Sequence, residues 1–194
     1  MPRTRSATAH RKVLAAALEL VAERGIDPTS MDAVAAKSGV SKATIYKHWP
    51  DKDALLLEMV AEVNGLHARP TFDSGKTRAD IVAVLSYRPE ANAQMRERIM
   101  PHFAAYSANP AFGKAWRNLV MEPPRRELTH LLKLGLRKGE LAPGLDIDLA
   151  LTLLLGPMMY WHVFLKRTTD DPKSLAEGVV DAFWKAFGRK KRPS

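Results

Sequence analysis

Residues 29–53 read TSMDAVAAKSGVSKATIYKHWPDKD, and their spacing predicts two short helices joined by a tight turn. Thr29 or Ser30 can cap the first helix, because a side-chain oxygen there accepts a hydrogen bond from an otherwise unpaired amide. Asp32 falls in the first turn, where negative charge meets the positive end of the helix dipole. Met31, Val34 and Ala35 recur at i, i+3 and i+4, which makes one face apolar. Gly39 can take positive φ and end that helix at little steric cost. Val40 can plug the junction, and Ser41 can cap a second helix running to about His48. Ile45 and Trp49 lie four apart and should face inward with Val34 and Val40. Ala35 is small where the two helices must cross closely.

The second helix then has an outward face of Lys42, Thr44, Lys47 and His48, with Tyr46 toward one edge. Lysines neutralise phosphates, and Thr, Tyr and His side chains donate to phosphate oxygens. Lys42, Ala43 and Thr44 occupy the N-terminal turn, the part of a recognition helix that meets base edges in the major groove. Lys donates to guanine O6 and N7, and a Thr methyl touches a thymine methyl. A plain solvated helix pair is the competing reading, since such pairs are common supersecondary structure. Here cap, turn glycine, small crossing residue and basic face all agree in spacing.

These residues resemble the TetR family of bacterial transcriptional regulators. The resemblance runs through RKVLAAAL at 11–18, ERG at 23–25, MDAVA at 31–35, GVSKATIYKHW at 39–49 and KDALL at 52–56. It implies that Thr29 and Ser30 meet the phosphate backbone and that Lys42, Ala43 and Thr44 sit over bases. It further implies that Tyr46, Lys47 and His48 clamp the backbone, with Lys52 adding a phosphate contact from the start of the fourth helix. The family usually carries Phe where this chain has Trp49; the larger ring should plug the same core.

Composition fits a polyanionic partner: 30 Lys and Arg against 21 Asp and Glu give a net charge of +9 with His neutral. Arg3 and Arg5 form a basic N-terminal arm and Arg189, Lys190, Lys191 and Arg192 a basic tail, of a kind that reaches DNA in some proteins and stays solvated in others. With no cysteine, disulfides and thiolate metal sites are excluded. The charged N-terminus precedes no apolar stretch of a secretory signal, so a cytoplasmic location is expected.

The expected fold class is all-α: a three-helix DNA-binding domain over 1–67, with the helix-turn-helix at about 30–49, then a larger helical regulatory and dimerisation domain over 68–194. Helix one should span roughly Ala7–Arg24 and helix four about Asp51–Leu66. Later helices are expected at about 77–87, 90–107, 110–121, 123–138, 146–167 and 172–187. Asn109-Pro110 and Asp171-Pro172 read as a cap followed by a first-turn proline. Pro101 and Pro157 fall inside two of these helices.

The helix beginning at Asp146 is apolar on nearly every side from Leu149 to Leu165, and a helix of that kind must be buried all round. It is too short and too interrupted to cross a membrane. One face can meet its own domain; the other then needs a partner chain or a ligand. Together with the final helix it suggests a four-helix homodimer contact, also implied by the family resemblance, through Leu151, Leu155, Met159, Val180, Phe183 and Trp184. A two-fold pair would read an inverted repeat in double-stranded DNA. A small-molecule effector that prefers one spacing of the recognition helices would control binding. Its candidate lining is Met95, Met100, Phe103, Tyr106, Trp116, Met121, Met158, Trp161 and His162, since Met and aromatics suit apolar ligands, although each can equally be core.

The expected function is therefore a ligand-responsive regulator, a repressor by resemblance, needing no cofactor, metal or membrane. Two other readings stay open. A non-specific nucleoid-type DNA binder would need the basic surface but not the large apolar C-terminal part. A helical-bundle enzyme would need catalytic spacing, and the scattered His10, His48, His67, His102, His130 and His162 offer none.

Overall fold

The computed structural model describes residues 3–89, 93–161 and 171–189, with side chains from residue 7 onward. Along it run α1 (Arg3–Arg24), α2 (Met31–Ser38), α3 (Lys42–His48), α4 (Lys52–Val63), α5 (Thr77–Ser86), α6 (Ala93–Tyr106), α7 (Pro110–Trp116), α8 (Glu122–Arg137), α9 (Ile147–Met159) and α10 (Pro172–Phe187). Among the described residues the only strand-like pairing is one isolated antiparallel bridge, Leu141 to Gly188. The all-α class follows directly. The side chains of Arg3 and Arg5, His162, the end of the long apolar helix beyond Trp161, and Lys190 to Arg192 lie outside the described residues.

The described residues form two compact units. One gathers those up to Ala68 with those from Pro89 to Val120; the other gathers Arg69 to Arg88 with those from Met121 onward. Within the first unit α6 packs on α1 and α4, and α7 on α4. The first core joins Val13, Ala17 and Val21 of α1 to Val34, Ile45 and Trp49, to Leu56, Met59, Val60 and Val63 of α4, and to Ile99, Phe103, Phe112 and Trp116. Asn109 caps α7 by accepting from the Ala111 and Phe112 amides, with Pro110 in the first turn, as the Asn-Pro pair predicts. Gly113 lets α7 approach the end of α6: a Cβ there would stand 2.2 Å from the Ser107 carbonyl oxygen, which no side chain tolerates.

The second unit packs α8 and α10 on α5, with α9 against α10, α8 and α5. Its core includes Ile81, Leu85, Leu128, Leu131, Leu132, Ala150, Leu151, Leu154 and Val180. Asp80 is buried, and its carboxylate accepts from the Ser74 amide at 3.0 and 3.2 Å, tying the chain before α5 onto that helix. Asp146 and Asp171 cap α9 and α10.

One helix boundary needs correction. Two helices are expected at 110–121 and 123–138, but the first ends as α-helix at Trp116, and a π-helical turn, Arg117–Met121, fills the residues before α8. Pro123 and Pro124 fall in the first turn of α8, directly after the π-helical turn. No helix among the described residues is long and apolar enough to cross a membrane.

Candidate nucleic-acid interface

Ser30, not Thr29, caps α2. It is extended, at φ −106° and ψ 159°, and its Oγ accepts from the Ala33 amide at 3.1 Å. Gly39 closes α2 at φ +67°, with its amide donating to the Ala35 carbonyl; a side chain at that dihedral would be strained. Ser41 then caps α3, its Oγ accepting from the Thr44 amide at 3.3 Å. The Ser41 and Thr44 hydroxyls also share a hydrogen bond at 2.9 Å.

The inward residues behave as their spacing predicts. Val34, Ile45 and Trp49 are buried, and Ala35 and Val40 pack beside them in the same core. The opposite face is left to water: Lys42, Ala43, Tyr46, Lys47 and His48 are all exposed, with Thr44 half-buried at the edge. Lys42 does not stand alone. Its Nζ lies 2.7 Å from the Asp32 carboxylate of α2, and that hydrogen bond raises its pKa above the usual lysine value. Lys37, at the end of α2, reaches Glu19 and Glu23 of α1, both at 3.0 Å. The Glu23 hydrogen bond, then that of Glu19, raises its pKa likewise.

Two expected phosphate contacts are turned inward. Thr29 is 3% exposed and its hydroxyl donates to the Gly25 carbonyl at 2.8 Å. Lys52 donates from Nζ to the carbonyls of Ile26 at 2.7 Å and Asp27 at 3.3 Å. These carbonyls follow the end of α1, where the helix dipole leaves negative charge. Both residues thus brace the α1–α2 turn. Tyr106 joins the brace from α6, donating its hydroxyl to Asp53 Oδ1 at 3.1 Å, with the Lys52 ammonium 5.8 Å from its ring centroid. Burial, then the bond to Asp53, pushes the Tyr106 phenol above its ordinary value.

The candidate effector residues are divided between the two units. Phe103 and Trp116 are buried in the first core, their rings near-parallel with centroids 5.7 Å apart, and Met95, Met100 and Tyr106 pack around that core half-buried. Met158 belongs to the second core, while Met121 and Trp161 are half-buried. The expected dimer residues also divide. Leu151, Val180 and Phe183 pack in their own core at 4%, 0% and 4% exposure. Leu155 and Trp184 are half-buried, and Met159 is exposed. The face that α9 leaves in water is Leu149, Leu153, Gly156 and, just past its end, Tyr160. Among the described residues no cluster of three His, Asp or Glu side chains is arranged to hold a metal ion.

Two capped helices joined through a left-handed glycine, the second short, basic and seated on a helical core, define a helix-turn-helix DNA-binding protein. Comparison with known proteins agrees along most of the chain. The family profile described as "Bacterial regulatory proteins, tetR family" matches residues 13–59, and that described as "Tetracyclin repressor-like, C-terminal domain" matches residues 71–183. The HTH-type transcriptional regulator YdeS of Bacillus subtilis is 30% identical over 159 residues, 81% of this chain and 80% of its own length. The DNA-binding transcriptional repressor TetR of Mycobacteroides abscessus is 26% identical over 178 residues, 86% of this chain and 93% of its own. The fold is shared with the transcriptional regulator FadR from Bacillus subtilis, solved in complex with stearoyl-CoA: TM-score 0.64, 18% identity, covering 89% of this chain and 96% of that one. The chain belongs to the TetR family of bacterial transcriptional regulators, and its relatives are regulators, not enzymes.

Proposed function

We propose that the chain is a ligand-responsive repressor that binds an inverted-repeat operator as a homodimer. The observation that carries this reading is where large apolar side chains are left in water. Among the described residues they are Tyr46 at 48%, Leu149 at 49%, Leu153 at 42%, Met159 at 39% and Tyr160 at 57%. One stands on the recognition helix. The other four crowd on α9 or directly after it, and contiguous exposed apolar surface marks an interaction site. The neighbouring α10 exposes Ser174, Gly178 and Ala182, small enough for a partner helix to approach closely. A second copy of the same surface is its occupant, since a two-fold contact is self-complementary.

On α3 the proposed division of labour follows position. Lys42, Ala43 and Thr44 read bases from the first turn; Ser30, Tyr46, Lys47 and His48 hold phosphates. Thr29 and Lys52 act on DNA only through the turn that they brace. Selecting fragments from random DNA tests the whole reading, because a repressor of this kind recovers a common sequence with two-fold symmetry. With that fragment, Lys47→Ala should weaken binding to every sequence and lower the slope of log affinity against log salt by about 1. Lys42→Ala or Thr44→Ala should instead relax preference at one base position, by about 1–3 kcal/mol. An equal loss on all sequences for all three variants would overturn the division.

The effector is proposed as an apolar or aromatic small molecule. Supporting this, FadR holds stearoyl-CoA, and α6 offers Met95, Met100 and Tyr106 half-buried, side chains adaptable enough to repack around a ligand. Fatty acids, acyl-CoA thioesters and aromatic compounds should include a molecule that releases the selected fragment. If such a panel alters neither fragment affinity nor thermal stability, the sensing role fails while the DNA-binding role stands.

A further inference from the structure

Trp49 brings a polar atom into the core. The residue is 2% exposed, and a buried indole N–H needs an acceptor. It finds one in Glu58 of α4: Nε1 donates to Oε2 at 2.5 Å. The other oxygen of the same carboxylate, Oε1, lies 2.7 Å from Nε2 of His10 on α1. The His10 ring stacks on the Trp49 indole, with centroids 4.7 Å apart and 29° between planes, and meets the His48 ring edge-on at 5.7 Å. One carboxylate therefore holds the end of α3 to both α1 and α4.

Such a clamp matters because α3 cannot hold itself. It has seven residues, far below the length at which an isolated helix is stable. Its last turn ends at Trp49, which is extended at φ −128° and precedes Pro50, so no further turn steadies it. Ile45 anchors the helix through apolar contact, which fixes its depth but is not directional. A hydrogen bond to a charged acceptor is directional and among the stronger ones. Tyr46, Lys47 and His48 lie in the same turn and project outward.

We propose that Glu58 is a positioning residue for DNA recognition: by accepting from Trp49 and pairing with His10, it fixes the pitch of the recognition helix and the placement of its phosphate-facing side chains. The inference rests on the DNA-binding role of α3. It predicts a loss concentrated on sequence recognition, since non-specific attraction to phosphate tolerates a few degrees of helix rotation and base contacts do not.

The test uses the full chain, the tightest fragment selected from random DNA by the unaltered protein, and an unrelated fragment of equal length. Glu58→Leu keeps bulk and helix propensity but removes both acceptors. Glu58→Gln removes the same charge and keeps a carbonyl acceptor. Trp49→Phe keeps an aromatic wedge without the N–H. Glu58→Leu should weaken binding to the selected fragment by about tenfold or more, the effect of one charged hydrogen bond, while leaving the unrelated fragment within about threefold. Glu58→Gln should restore most of the loss. Trp49→Phe should show the same selective loss on the chosen fragment, no larger than that of Glu58→Leu, which also frees His10, and the double variant should be no worse than Glu58→Leu alone, because the Trp49 bond is already absent there. The indole N–H resonance of Trp49 should move in Glu58→Leu and return in Glu58→Gln. Equal losses in the Leu and Gln variants, equal factors on the two fragments, or additive losses in the double variant would each overturn the proposal. Recovery of no preferred fragment would sink the operator reading instead, and the indole resonance would still decide the clamp: its indifference to Glu58→Leu overturns it.

Discussion

Glutamate in place of Leu153 should split the protein into folded monomers, and these should hold a two-half-site DNA fragment about 10²–10⁴-fold more weakly. Leu153 is 42% exposed in the single chain, so a carboxylate there reaches water and the helix survives. In a dimer built on this face the same carboxylate would be buried without a partner, which association cannot offset. The loss on DNA follows because the second half-site is no longer tethered to the first. Sedimentation and light scattering read the oligomeric state, circular dichroism reads the fold, and titration on fragments with one and two half-sites reads the coupling. A dimer that persists in Leu153→Glu would sink the α9 interface. Phe183→Glu makes a poor test of the same idea. At 4% exposure, inside the second core, a charge there unfolds the unit before any interface is questioned.

Phe103→Ala should cost about 3–5 kcal/mol of stability, a large part of the roughly 5–15 kcal/mol that holds a typical domain together. Phe103 is 0% exposed and packs against both Trp116, at 5.7 Å and 11°, and Phe112, at 6.2 Å and 26° between rings. Removing the ring leaves a hole that two other aromatics cannot close without leaving their own contacts. The same cluster contains Met59, Val60 and Val63 of α4, so the damage reaches the scaffold of the recognition helix. Urea unfolding followed by Trp fluorescence measures it. A cost below about 1 kcal/mol would show a site that collapses or stands partly open, and would return Phe103 to the ligand-lining set.

The helix-turn-helix was legible because its signals are local. Ser30, Gly39 and Ser41 act within three or four residues, and the inward set of Val34, Ile45 and Trp49 is fixed by a 3.6-residue period. What was not legible depends on residues distant in the chain. Lys52 looks like any basic side chain at a helix start until the fold brings the Ile26 carbonyl, 26 positions away, to 2.7 Å. Thr29 and Ser30 are equal as caps on paper; only the approach of Gly25 decides that one faces inward. In α9 apolar residues on nearly every side give no asymmetry from which to read an inner face. Leu151 and Leu153 are two positions apart, about 200° around the helix, so choosing the wrong stripe exchanges core for surface. Glu58 had a readable trace in the Trp at position 49, whose N–H, unlike anything on a Phe ring, has to be given an acceptor.

The packing of α6 and α7 against α1 and α4 limits how this regulator can be taken apart. A fragment ending at Ala68 would carry every residue of the helix-turn-helix, yet it would strip Ile99, Phe103, Phe112 and Trp116 from the wall formed by α1 and α4. It would present raw apolar surface and should aggregate or bind DNA feebly. Nor can the missing wall be restored by simple extension, because residues 69–88 belong to the other unit and lie between the two pieces in sequence. Grafting this DNA-reading head onto a foreign sensor would therefore require transplanting two separated segments together. Exchange of sensor modules among such chains is easiest where the host already supplies matching partners for Phe103 and Trp116.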